Sequence, residues 1–123
     1  MKQEDKELLL KDLCTRLPYG VKINENTQGD FTVIGLTTER VFTTCEVEGC
    51  HNDFPIDCIK PYLFPLSSMT EEQEKEYNDL NCYELGCFPH TKAALDYLIK
   101  NQFDFRSLIS KGLAIDATGL NIY

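Results

Sequence analysis

Residues 56–77 read IDCIKPYLFPLSSMTEEQEKEY, and the parsing of this stretch decides the fold. Pro61 and Pro65 lack a backbone N–H and hold φ near about −65°, which excludes residues 60–65 from a helix interior. The same missing donors argue against a central strand. Lys60 and Phe64 each precede a proline and are pushed toward extended geometry. The stretch therefore predicts a stiff extended connector carrying Tyr62, Leu63, Phe64 and Leu66. Such a connector is expected to be pinned against a core. The alternative is an apolar pocket near Tyr62, Phe64 and Tyr97. Downstream, Ser68 with Glu71 and Thr70 with Gln73 each have capping-box spacing, so a helix starts here. Glu71 and Glu72 in its first turn suit the positive end of the helix dipole.

On the N-terminal side, residues 2–16 predict a helix: Leu9, Leu10, Leu13, Cys14 and Leu17 follow the spacing of one buried stripe. Cys14 is read as a small core residue, and Pro18 and Gly20 close the helix. From Val21 the period changes to two. Segments 31–36 and 40–47 are rich in β-branched and aromatic residues, as strands are. The polar run 25–30 supplies a hairpin loop, with further turns expected at Glu48-Gly49 and Asn52-Asp53. Residues 56–59 fit a short strand or a single helical turn. The expected sheet is small, curved and antiparallel, or a partly open barrel.

On the C-terminal side, 91–101 predicts a helix with Ala94, Leu95, Leu98 and Ile99 on its buried face. Residues 81–88 read as loop or short strand. Asp104 is placed to cap a third helix over 105–111, ended by Gly112. Residues 113–115 read as a returning strand and 118–123 as a surface tail. The period switches from about 3.6 to 2 after Gly20 and back after Pro65. This predicts an α+β fold with an N-terminal helix, a small antiparallel sheet and a C-terminal helical half. At 123 residues, and with no long linker, a single domain over 1–123 is expected.

The net charge of −8 argues against nucleic acid or an anionic membrane surface as the main partner, since both demand clustered Lys and Arg. The first residues, MKQEDKELLLKDLC, fit neither a signal peptide nor a membrane span, so a cytoplasmic setting is expected. Two segments carry the whole charge. Residues 39–58 hold five carboxylates against Arg40, and residues 67–81 hold Glu71, Glu72, Glu74, Glu76 and Asp79 against Lys75. In the second segment Met69, Tyr77 and Leu80 form only a narrow apolar line. Its carboxylates are expected to face outward, either as a solvated face or as a docking surface for a basic partner protein.

Six cysteines without secretory features read as free thiols. Cys45, Cys50, His51 and Cys58 are the residue types of a zinc site, and a small zinc-binding module is the alternative reading. Their spacing lacks CxxC, and neighbours such as Cys50 and His51 point to opposite faces of a strand. Cys82, Cys87 and His90 have the same weakness. No nucleophile elbow, carboxylate pair or glycine-rich phosphate loop stands out, which favours a non-catalytic chain. A small-molecule-binding or hydrolytic role is the third hypothesis.

KELLLKDLCTRLPYGVK, IKPYLFPLSSMTEEQ and FDFRSLISKGLAI resemble a group of small proteins from Bacteroides-type gut bacteria and their phages. The resemblance covers most of the chain and implies an origin in a phage or mobile element, with an intracellular host setting. The group's strings bring no mechanism with them, and the stretch from Cys45 to Cys58 lies outside the shared pattern.

Overall fold

A computed structural model describes residues 2–44, 51–81 and 91–123. Helix α1 spans Gln3–Arg16 and passes into a 3-10 turn at Leu17–Tyr19, with Gly20 at a φ of 71°. Proline at the start of that turn and glycine at its end are what stop the helix. The buried arc of α1 differs from the leucine stripe. Leu9 and Leu13 are fully buried, but so are Asp12 and Arg16, and Cys14 is exposed. The charged pair finds all its partners inside, so the helix turns that side inward and Cys14 lies away from the arc.

Strands β1 (Lys22–Glu25), β2 (Gly29–Leu36), β3 (Arg40–Thr44) and β4 (His51–Pro55) form an antiparallel meander. Asn52 and Asp53, expected in a turn, pair within β4 with Thr43 and Phe42. A 3-10 turn at Ile56–Cys58 then leads to β5 (Ile59–Pro65), which returns antiparallel beside β1. Helix α2 spans Glu71–Asn81 and packs on α3, Lys92–Lys100. The short strands β6 (Phe103–Asp104) and β7 (Ile115–Asp116) both join β5 in parallel. The fold is α+β, and the mixed sheet is linked β4-β3-β2-β1-β5, with β6 and β7 also paired to β5, and does not close.

Residues 105–111 form turns rather than a helix. Asp104 does accept the N–H groups of Leu108 and Ile109 at 2.9 Å each, as a cap would. Ser107, however, takes a φ of 60°, which interrupts a right-handed helix at its first turn. The expected strand at 113–115 is displaced to β7.

The connector at 60–65 is not outside the sheet. It is β5, flanked by strands on both edges, and the proline argument against a central strand is overturned. Backbone groups alternate between the two edges of a strand. Tyr62 and Phe64 serve the β1/β6 edge, where the Phe64 N–H donates to the Gln102 carbonyl at 2.8 Å. Pro61, Leu63 and Pro65 turn to the β7 edge. There Leu63 does the pairing, its carbonyl accepting Ala117 N–H at 2.9 Å, and β7 pairs only Tyr62 and Leu63. Both missing donors thus fall where no strand asks for them.

Strand β5 also separates two cores. One face sends Ile59 and Leu63 into a cluster with Leu9 and Leu13 of α1, Ile23, Val33, Val41 and Phe54. The other sends Phe64 against Tyr77, Ala94, Leu98 and Phe103 between α2 and α3. Each fully buried Leu or Ile here is worth about 1.5–3 kcal/mol relative to exposure. The two cores are stitched by the buried polar cluster of α1. Arg16 Nε meets Asp12 Oδ2 at 2.8 Å, its Nη2 donates to the Phe103 carbonyl at 2.6 Å, and Arg106 Nε reaches Asp12 Oδ1 at 3.2 Å. Gln102 joins through Arg16 Nη1 at 3.5 Å, and its φ of 61° is the cost of that placement.

Candidate functional site

The acidic helix is built as the sequence implies. Thr70 and Gln73 form the capping box: Gln73 N–H donates to Thr70 Oγ1 at 3.1 Å, and Thr70 N–H donates to Gln73 Oε1 at 2.9 Å. Ser68 instead donates to the Pro65 carbonyl within a 3-10 turn. Tyr77 and Asn81 are the buried residues of α2, whereas Glu71, Glu72, Glu74, Glu76 and Asp79 are all exposed. Glu76 is partly engaged inside the molecule. The Tyr97 phenol is pushed up by burial, by the charge of Glu76 and by its hydrogen bond to that carboxylate.

Tyr62, Phe64 and Tyr97 are not gathered into one place. Phe64 and Tyr97 pack about Phe103, with ring centroids 6.3 and 6.5 Å from it. Tyr62 lies nearer β2, and its hydroxyl donates to Asp30 Oδ1 at 2.6 Å. Of the zinc ligand types, Cys45 and Cys50 lie outside the described residues, as do Cys82, Cys87 and His90. Cys58 is exposed in the 3-10 turn before β5, and His51 opens β4. Among the described residues no group of three or more His, Cys, Asp or Glu could hold a metal ion.

A second arrangement went unread in the sequence. The register Lys22↔Thr32 and Val33↔Thr43 lines up Lys22, Thr32 and Thr44 across β1, β2 and β3 on one face of the sheet. Asn24 and Asp30 stand opposite each other in the next row. Asp30 Oδ1 accepts from Asn24 Nδ2 at 2.9 Å as well as from Tyr62. These two donors, Asn24 first, hold the Asp30 carboxyl below its ordinary range, with a smaller contribution from the Lys22 charge. Burial and the same Asp30 contact push the Tyr62 phenol up.

Residues 118–123, expected as a surface tail, are strapped to this face. Lys22 Nζ donates to the Ile122 carbonyl at 2.8 Å. The Tyr123 hydroxyl accepts the Lys22 backbone N–H at 2.8 Å and donates to the Tyr62 carbonyl at 2.8 Å. One oxygen therefore replaces a ladder bond where β1 and β5 part. That buried hydroxyl is pushed up to about 12 by desolvation, although the residue as a whole remains 45 % exposed. Between strap and sheet lies an open cleft of about 370 Å³, walled by Lys22, Asp30, Thr32 and Thr44 on one side and by Asn121 and Ile122 on the other. No local signal in residues 118–123 marks the strap, because its partners are 61 and 101 residues away.

Comparison with protein-family models, curated proteins and solved structures finds no match for this chain. Among the described residues no helix is long and apolar enough to cross a membrane.

Proposed function

We propose that the chain is a non-catalytic protein-interaction module of phage or mobile-element type, working in a host cytoplasm, that docks α2 on a basic surface of a partner protein. The observation that carries this reading is the exposure of all five α2 carboxylates on a helix held by a capping box and by Tyr77. A rigid element presenting unbalanced charge is preorganised for a charged partner. Complementary charge acts mainly on the association rate and on partner choice, and it fades as salt screens it. The strings shared with the phage and gut-bacterial group support the setting.

The test compares wild type with the Glu71→Gln/Glu72→Gln/Glu76→Gln variant. The amide introduced at position 76 would still accept the Tyr97 hydroxyl, and each surface change is worth about 0.5 kcal/mol or less in stability. Cross-linking capture from a bacterial lysate identifies the bound protein, and its association rate is then measured against salt. Slower association for the variant, and a steep salt dependence for wild type only, are expected. Equal rates at low salt would sink the reading.

A further inference from the structure

We propose that the cleft between the strap and the sheet is a binding site for a small neutral polyhydroxylated molecule, such as a saccharide unit. This goes beyond the docking role of α2 and does not depend on it.

The argument begins with polar groups that the fold leaves unspent. Asp30 receives both of its donors on Oδ1, and Oδ2 takes none among the described residues. Lys22 Nζ has three protons and gives one to Ile122. The hydroxyls of Thr32 and Thr44 have no hydrogen-bond partner among the described residues. The cleft thus offers an anchored acceptor, a cation with spare protons and two groups that both donate and accept. A hydroxyl also does both, so a row of ligand hydroxyls satisfies all of them at once.

Charge narrows the class. One carboxylate and one ammonium face the same space, so a phosphate or carboxylate ligand meets Asp30 and a cationic one meets Lys22. The chain's charge of −8 further disfavours anions. A neutral molecule meets neither penalty. The volume of about 370 Å³ lies at the small end of ligand sites, which run from about 300 to 1,000 Å³.

The strap makes the site conditional. Asn121 and Ile122 form the far wall, and two of the strap's three hydrogen bonds to the sheet end on Lys22, one on its side chain and one on its backbone, while the third runs to the Tyr62 carbonyl. A ligand held by Lys22 therefore also holds the strap closed, and a loosened strap removes one wall of the site.

The experiment is an amide NMR titration of the full chain with maltose and with N-acetylglucosamine, and with alanine as a zwitterionic control. Saturable shifts are expected for the amides of Lys22, Thr32, Thr44 and Asn121 with at least one sugar, with a dissociation constant on the order of millimolar. The isosteric pair Thr32→Val/Thr44→Val keeps β-branched residues in both strands and should weaken binding at least about tenfold. Tyr123→Phe leaves every cleft hydroxyl in place, yet should weaken sugar binding and speed exchange of the Lys22 amide proton. No saturable shift with either sugar overturns the proposal, as do shifts away from the cleft or affinity unchanged in the threonine variant. Binding of alanine without sugar overturns the ligand class.

Discussion

The buried polar cluster of α1 and the exposed face of α2 are made from the same chemistry and put it to opposite uses. Asp12 sits at zero exposure with Arg16 on one oxygen and Arg106 on the other. Arg16 also satisfies the Phe103 carbonyl and Gln102, and its guanidinium lies 5.5 Å from the Phe105 ring centroid. The fully buried pair Asp12–Arg16 is neutral as a pair and hydrogen-bonded, with Arg106 reaching in from a partly exposed position, which is the condition for tolerating charge in a low-dielectric interior. On α2, five carboxylates stand beside one lysine and all five are exposed, Glu76 also accepting the Tyr97 hydroxyl. Charge inside has become structure. Charge outside is in excess, and a basic partner would balance it.

The contrast breaks most visibly at Asp12. Asp12→Ala leaves Arg16 desolvated and short of its counter-ion, so a loss of about 3–5 kcal/mol in unfolding free energy is expected from denaturant titration. A loss under about 1 kcal/mol would mean the pair is not the stitch between the two cores. Thr70→Ala is the matching test on α2. It removes the acceptor for Gln73 N–H and should cost about 1 kcal/mol, with fraying of the first turn visible in amide exchange. Smaller still is the response to acid. The Thr27 hydroxyl, followed by the N–H groups of Gln28 and Thr27, holds the Glu25 carboxyl below its ordinary range, and Asn24 and Tyr62 do the same for Asp30. Because the folded values are depressed, their stabilisation is complete above the unfolded range near about 4 and disappears as pH falls through the folded values. Unfolding free energy measured from about pH 6 down to about pH 3 should therefore decline, and Glu25→Gln should flatten the slope. An unchanged slope would show that the 25–28 turn does not depend on ionised Glu25.

Much of the fold is legible where local chemistry decides. Thr91 caps α3 as its position suggests, accepting Ala94 N–H at 3.0 Å, and Pro18 ends α1. The exposure of Glu71 to Asp79 follows from the narrow apolar line of α2. What escaped the sequence depends on distant partners. Asp12 and Arg16 have the spacing of an ordinary surface pair on a helix. Their burial is decided by Gln102, 86 residues from Arg16, and by Arg106, 94 from Asp12. The prolines of β5 are a similar case. A missing donor matters only if its edge is paired, and that depends on where Ala117 and Gln102 arrive. The cleft is the extreme case, since its walls come from β1, β2, β3 and the strap.

The end of β4 has a consequence for how many molecules share a solution. Among the described residues β4 pairs only with β3, and its outer edge has no partner among them. Open edges template further strands and, through them, filaments. Here Pro55 closes β4 without a donor, and Asp53, held by Arg40 at 2.6 Å, places an ion pair within the same five residues. A neighbouring chain that tried to add to this edge would forgo a bond at Pro55 and have to accommodate that pair. Concentrated protein should accordingly stay as discrete particles rather than grow end to end, which leaves its surfaces available to other molecules.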